Sequence, residues 1–366
     1  MPPSPATPPA PIDSPEAIDL PWLEAALAES GACAGHRIAG FEPEMVGTGQ
    51  MGRSVRLRLA FEGGASPLGS VVVKLPSDDP ASRGTGASQG SYMREVRFYQ
   101  QLAAATPMRT PHCYFATIDD AAPERFSIVL EDMAPARQGD QIAGCAVDEA
   151  ELVMDELPRL HAPWWNHAKL PGLDYLQQAS AESAPLLQAV YQALQPGFET
   201  RYADRLAPEL MEVTRRFGPK IGPWAAAFTG EKTLTHGDYR LDNMLFGTSA
   251  DAAPLCIVDW QTVGCGAALG DAAYFIGAGL TIEDRRKHEE ALLRRYHEGL
   301  LEGGVEGYDW NACHRDYRLF TFAGVIMAVV ASMIVEVTER GDEMFMAMAE
   351  RHARHALDLD AFDLID

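Results

Sequence analysis

What this 366-residue chain has least of is positive charge: 30 Lys and Arg stand against 52 Asp and Glu, a formal net charge of −22. That deficit argues against nucleic acid or an anionic membrane as a partner, because both recruit proteins through clustered cations. It is compatible with a cationic substrate, although a solvated acidic surface is the commoner meaning of such a balance. Cysteine is sparse as well. The six, at 33, 113, 145, 256, 265 and 313, form no CxxC pair, so a disulfide framework is not expected and reduced thiols in a cytoplasmic protein are. Long hydrophobic runs are missing. The longest, residues 320–335, has 16 residues and contains Thr, Gly and Ser. It is short for a membrane span and reads as a buried helix with Arg318 and Glu336 near its ends. No basic stretch leading into an apolar one opens the chain, so no secretory signal is expected.

The length allows a sizeable core and two lobes. Residues 1–15 carry seven prolines and little that could pack, which reads as a flexible, partly polyproline tail. Asp19 is placed to cap a helix through Trp22 and Leu27 that stops before Gly31. Between residues 37 and 75 the period changes to two: Val55, Leu57, Leu59 and Phe61 alternate with Arg56, Arg58 and Ala60. Gly47, Gly49 and Gly52 lie between the first two strands. An alternating strand follows them, not a helix, so a hairpin whose amides can approach phosphate oxygens fits better than a dinucleotide fold; a plain turn would look the same. Lys74 ends the Val71–Val73 run, and an interior lysine at a strand end needs an anion. After a Gly/Ser-rich loop at 77–90, Tyr92, Val96 and Tyr99 fall on helical spacing, with Glu95 beside the apolar face. Two more strands, 113–118 and 126–130, lead into Glu131-Asp132-Met133, and 134–144 reads as a boundary. Beyond it the chain is mainly helical: 147–161, then 181–217 with breaks at Pro185, Pro196 and Pro208, then 288 to the end. Trp164 and Trp165 suit either a substrate cleft or core packing. His352 and His355 share a helix face but have no third ligand nearby, which favours an ordinary surface position.

Most of the chemical information sits in residues 235–246, THGDYRLDNMLF. Asp238 is followed five residues later by Asn243, and a second apolar run, 255–258, ends on Asp259. Short apolar runs ending on a carboxylate read as buried strands that deliver a charge to their tip. Three oxygen ligands from two neighbouring elements suit a hard cation such as Mg2+. Phosphoryl transfer needs these parts: one carboxylate to take the acceptor's hydroxyl proton, and an amide and a second carboxylate to hold metal on the phosphates. Asp and Asn capping a plain turn is the competing reading, and it leaves the rest of the chain unexplained.

His236-Gly237-Asp238, four residues and Asn243 resemble the catalytic loop of the protein-kinase-like phosphotransferases, in the HGD form of the small-molecule branch. With Asp259 behind it, the chain looks like a member of the aminoglycoside phosphotransferase and choline kinase-like superfamily. SYMREVRFYQQL, IVLEDM and IVDWQ look closest to the ecdysteroid-kinase-like enzymes, and HGDYRLDN is also similar to kinase domains that act on hydroxyacyl-CoA. The resemblance implies an α+β, bilobal protein-kinase-like fold: an antiparallel β-sheet N-lobe with one main helix at 16–133, and a mostly helical C-lobe at 134–366. It implies that Lys74, braced by Glu95, holds the α- and β-phosphates of ATP under the backbone of residues 47–52. Glu131 and Met133 would flank adenine at the hinge between lobes. Asp238 would be the base, with His236 supporting its loop, and Asn243 and Asp259 would hold Mg2+. Arg240 would clamp the γ-phosphate or simply pair with Asp242, and Asp271, placed to cap the apolar helix it opens, would brace the loop. Only eleven residues separate Asp259 from Asp271, too few for a long activation loop, so a small-molecule hydroxyl substrate is favoured over a protein. A steroid-like or hydroxyacyl alcohol comes first, and an aminoglycoside or choline-type substrate or a non-catalytic nucleotide-binding module remain alternatives. The sequence leaves the oligomeric state open.

Overall fold

A computed structural model describes residues 8–47, 51–64, 67–178 and 183–366. The fold is α+β and divides into two compact units. The first comprises the chain up to Ala105 together with Thr110–Pro135 and Asp259–Gln261; the second comprises Thr106–Arg109, Ala136–Val258 and Thr262–Asp366.

The first unit runs α1 (Leu20–Ala28), β1 (Ile38–Val46), β2 (Gly52–Phe61), β3 (Ser70–Pro76), α2 (Pro80–Ser88), α3 (Ser91–Gln101), β4 (Cys113–Asp119) and β5 (Ala122–Glu131). Its five strands form one antiparallel sheet in the order β1-β2-β3-β5-β4. The period of two assigns the faces. Val55, Leu57, Val71, Val73 and Val129 join Trp22 and Leu23 of α1 in one core. Lys74 therefore points to the opposite face. There α3 lays Tyr92 on Phe126, the rings stacked at 4.5 Å. As expected, Asp19 caps α1, its carboxylate accepting the Trp22 amide at 2.8 Å.

Two expectations for this unit need correction. Residues 8–15 are docked: the Ile12 amide donates to Ser127 Oγ at 2.9 Å and the Trp22 indole donates to the Ala10 carbonyl at 3.0 Å. Ile12 packs on the core, and a proline-rich segment has little backbone entropy to lose when it orders. The stretch read as a Gly/Ser-rich loop folds into α2. Asp79 accepts the Ser82 amide at 2.7 Å and Pro80 takes the first turn, so a good start outweighs two internal glycines.

The second unit is mostly helical: α4 (Val147–His161), α5 (Ala184–Tyr202), α6 (Pro208–Phe217), α7 (Ile221–Ala227), α8 (Leu269–Gly279), α9 (Ile282–Glu302), α10 (Trp310–Ile334) and α11 (Glu339–Asp358). Short strands β6 (Arg137–Gln138), β7 (Gln177–Gln178), β8 (Thr233–Thr235), β9 (Met244–Phe246), β10 (Leu255–Ile257) and β11 (Gly264–Gly266) make two three-stranded ribbons, β10-β9-β6 and β7-β11-β8. Among the described residues α10 is the one helix long and apolar enough to cross a membrane. It packs on α5, α8 and α11, with Leu319, Phe322, Val325 and Val329 in the core, and so is a core helix here. Pro185 and Pro208 start helices, but Pro196 does not break one. It lies inside α5, where buried Tyr191 and Phe198 hold the helix on both sides of it.

His352 and His355 are not at the surface. Both are fully buried on α11, where Gly277 and Gly324 make room for the imidazoles; a Cβ at Gly277 would stand 2.7 Å from the Nδ1 of each. Burial pushes the His352 pKa well below its ordinary value, and His355, Arg351 and Arg285 push the same way. Burial also lowers His355, against the opposing pull of Glu289. A histidine with a depressed folded-state pKa contributes stability that is complete above its unfolded value, about 6.5, and that is lost as pH falls below it. Melting curves between pH 7.5 and 5 are therefore expected to show a falling Tm, with a shallower fall in His352→Leu. Equal slopes would mean that the imidazole stays neutral in both states.

Candidate active site

In the first unit, β3 and α3 bring Lys74 and Glu95 together. Glu95 lies on the buried stripe of α3 with Tyr92, Val96 and Tyr99, and its side chain is wholly buried. Lys74 Nζ donates to Glu95 Oε1 at 2.5 Å and lies 3.4 Å from Asp259 Oδ1. Burial alone would lower the ammonium pKa, but Asp259 and Glu95 together hold it above its ordinary value. Asp259 keeps this place with a left-handed backbone, φ +67°, which aspartate tolerates better than most side chains. The next residue, Trp260, stacks its indole on Phe98 of α3, planes 6° apart, and donates its amide to Glu95 Oε1 at 3.4 Å.

Strands β1 and β2 on either side of the glycine-rich segment pair antiparallel, and Gly47, just after β1, adopts φ +80°. Gly49 lies outside the described residues. Gly52 starts β2 across from β3, where a Cβ would stand 3.0 Å from the Leu75 carbonyl. Glu131 closes β5 and exchanges bonds with His112, amide to carbonyl at 2.8 Å and His112 amide to Glu131 Oε2 at 2.9 Å. Met133 follows in the same unit.

In the second unit the loop between β8 and β9 carries His236, Asp238, Arg240 and Asn243. Gly237 turns the chain at φ +81°, and a Cβ there would stand 2.5 Å from the Thr262 carbonyl, so glycine is required. Gly237→Ala is expected to cost about 2 kcal/mol from backbone strain and collision, visible as a drop in Tm. An unchanged Tm would show that the turn is not held in this conformation. Asp271 pins the same turn, accepting the amides of His236 at 2.7 Å and Gly237 at 2.9 Å. It does this from the first turn of α8, as the third residue of the helix, whose N-cap is Ala268, so its expected role as N-cap is corrected: its carboxylate serves the loop, not its own helix. His236 Nδ1 accepts the Asp238 amide at 3.3 Å, and its Nε2 lies 3.0 Å from the Val258 carbonyl.

Asp238 is held from three directions. Its Oδ2 accepts Arg240 Nε and Asn243 Nδ2, each at 2.9 Å, and its Oδ1 accepts the Tyr274 hydroxyl at 2.9 Å. Burial pushes its pKa up, but the Arg240 guanidinium beside it, together with His236 and the Tyr274 hydroxyl, outweighs burial and keeps the carboxyl below the usual range. Arg240 bridges two carboxylates, with Nη1 3.3 Å from Asp242 Oδ2. Asn243 spends its amide nitrogen on Asp238, donating to the backbone carbonyl and to Oδ2, each at 2.9 Å. The amide of Val258, the residue before Asp259, donates to the Asn243 carbonyl at 3.0 Å.

Three braces escaped the sequence reading. Tyr274 comes one helical turn after Asp271; a lone polar ring in an otherwise apolar helix was the available signal. Arg340, at the start of α11, binds both oxygens of Asp242 at 3.0 Å. Gln141 is almost fully buried, and its Oε1 accepts the Leu241 amide at 2.9 Å. Nothing local marks a residue 100 positions away as a partner of the loop.

The family model named ecdysteroid kinase-like matches residues 51–304. The chain belongs to the ecdysteroid kinase-like family. This family member is thereby one of the kinase-like small-molecule phosphotransferases, and the matched span includes Gly52, Lys74, Asp238 and Asp271. No curated protein matches the sequence. Among solved structures, an aminoglycoside phosphotransferase candidate from Ralstonia eutropha JMP134 aligns with a TM-score of 0.53 at 18% identity, covering 93% of this chain and 98% of that one. Plasmodium vivax ethanolamine kinase aligns at 0.51 and 10%, covering 85% and 81%. Choline kinase from Cryptosporidium parvum Iowa II aligns at 0.51 and 10%, covering 87% and 89%. At these identities the likeness is one of fold, and it agrees with the expected protein-kinase-like α+β architecture.

Proposed function

We propose that this family member is an ATP- and Mg2+-dependent kinase of a small-molecule alcohol, working in the cytoplasm. The observation that carries the reading is Asp238: a partly exposed carboxylate, kept ionised by Arg240 and aimed by hydrogen bonds on both oxygens. Such a group can take a hydroxyl proton as the oxygen attacks. The donor chemistry fits the metal. Asn243 spends its amide nitrogen, not its oxygen, on Asp238, and Asp259 is a half-exposed carboxylate, so both offer the hard oxygen atoms that Mg2+ prefers. Bound Mg2+ would neutralise charge on the phosphates. Lys74, kept charged by its anionic neighbours, would hold the α- and β-phosphates beneath the backbone of residues 47–52, with the backbone of Glu131 and Met133 toward adenine. Arg240 Nη2 has no hydrogen bond among the described residues, so it can reach the transferring phosphoryl group while Nε and Nη1 stay on Asp238 and Asp242.

For the acceptor, the family points to a steroid-like alcohol, and hydroxyacyl alcohols belong to the same apolar class. The choline and ethanolamine kinases that share the fold keep an amino alcohol as the second reading. The test is ADP release from Mg2+–ATP, and from Mg2+–GTP, over a hydroxysteroid, a 3-hydroxyacyl-CoA, choline and kanamycin, with Asp238→Asn as the blank. Turnover above the blank on one acceptor names the substrate class. Thermal stabilisation by Mg2+–ATP with no product from any acceptor would instead mark a non-catalytic nucleotide-binding module.

A further inference from the structure

The lone pairs of Asp238 are unevenly spent. Oδ2 receives two donors, Arg240 Nε and Asn243 Nδ2, and both of its lone-pair directions are taken. Among the described residues Oδ1 receives one donor, the Tyr274 hydroxyl, so one lone pair is left on the carboxylate and it belongs to Oδ1. The Asp238 side chain keeps 18% of its exposure, so that lone pair can be reached.

Tyr274 is itself fixed from behind. Its ring lies flat on the His352 imidazole, centroids 5.2 Å and planes 4° apart. Three helices close on that imidazole: α11 carries it, a Cβ on Gly324 of α10 would collide with its ring, and a Cβ on Gly277 of α8 would stand 2.7 Å from its Nδ1. Neither ring nitrogen of His352 has a hydrogen-bond partner among the described residues. The side chain is thus a flat, neutral plate that sets the plane of Tyr274, and not a proton relay.

We infer that Tyr274, backed by His352, is the positioning residue for the acceptor: the substrate hydroxyl donates to the remaining lone pair of Asp238 Oδ1, beside the tyrosine oxygen. This rests on the proposed reading of Asp238 as the base. In the transfer the acceptor O–H proton passes to Oδ1, the acceptor oxygen bonds to the γ-phosphorus, the bond from that phosphorus to the β,γ-bridging oxygen breaks, and ADP leaves. Tyr274 contributes direction. Its hydroxyl occupies one side of Oδ1 and prevents the carboxylate from turning that side to solvent, which leaves the acceptor a single approach.

The experiment measures kcat and KM with Mg2+–ATP in Tyr274→Phe, His352→Leu, their combination, and Asp238→Asn. The acceptors are water and the alcohols of the panel above. Tyr274→Phe keeps the stacked ring and removes one O–H, so kcat is expected to fall roughly ten- to hundredfold, with KM for ATP and Tm unchanged. His352→Leu keeps bulk and loses the flat plate. It is expected to lower kcat in the same direction and to add little in the double variant, because it acts through Tyr274. Wild-type kcat in Tyr274→Phe, with Asp238→Asn silent, would overturn this inference and leave the kinase reading standing. Fully multiplicative losses in the double variant would remove His352 from it. ADP release no faster from the wild type than from Asp238→Asn on every acceptor would overturn the kinase reading and this inference with it.

Discussion

Asp238→Asn is expected to lower turnover by about a thousandfold or more, with the affinity for Mg2+–ATP little changed. The substitution keeps the shape of the side chain and removes its charge and basicity. Two donors, Arg240 Nε and Asn243 Nδ2, now point at Oδ2, and an amide placed there can satisfy them only by turning its oxygen toward them. Its NH2 group then occupies the Oδ1 position, where the Tyr274 hydroxyl and the acceptor both need a hydrogen-bond acceptor. The acceptor proton has nowhere to go, and the one remaining oxygen faces away from it. In the proposed reading the nucleotide is held by other groups, Lys74 above all, so a calorimetric Kd should stay close to that of the wild type. Turnover within a few-fold of the wild type would contradict the role given to Asp238.

Lys74→Met is expected to have the second largest effect, and it acts on stability and activity together. Glu95 is wholly buried, and Lys74 is its close cation at 2.5 Å. Removing one member of a buried pair typically costs about 3–5 kcal/mol because the other charge is left without a counter-ion. Lys74 keeps some exposure, 14% of its side chain, so water can reach part of the gap and the lower end of that range is the better expectation. Glu95 already has a pKa raised by burial, and without Lys74 it will take up a proton more readily. The deficit should therefore shrink as pH falls from 8 to 5. Adding Glu95→Gln should restore much of the lost Tm, since a neutral amide needs no counter-ion, yet turnover should stay roughly a hundredfold or more below wild type because the phosphate contact is still missing. Recovery of turnover along with Tm would show that the pair is purely structural.

These two variants probe two groups of residues, one in each unit, and the groups differ in how far the sequence revealed them. Lys74 and Glu95 were legible because each breaks a strong local pattern: a cation closing a run of valines, and a carboxylate beside a helical apolar stripe. The spacing singled out Asp238 and Asn243, which the loop does bring into hydrogen-bond contact, and Gly237 owes its place to a carbonyl only 2.5 Å from where a Cβ would sit. What stayed hidden was support from far along the chain. Arg340 reaches Asp242 across 98 positions, and Gln141 reaches Leu241 across 100. A polar residue that finds its partner by tertiary packing carries no local signature. The histidines of α11 were misread for a related reason. A face with two imidazoles looks polar in sequence, and it is buried because two glycines on other helices vacate the space. In the N-terminal part the misreadings, the docked residues 8–15 and the helix α2, came from weighing glycine and proline content above the caps and anchors that decide short elements.

The central claim is that Asp238 directs a phosphoryl group from ATP to a small-molecule hydroxyl. The most direct measurement incubates the protein with γ-labelled ATP, Mg2+ and the acceptor panel, and identifies the labelled product by mass spectrometry. The account predicts a phosphate monoester of one alcohol, formed one for one with ADP by the wild type and absent with Asp238→Asn. Label recovered only in unreacted ATP, or ester formed equally well by Asp238→Asn, would contradict it.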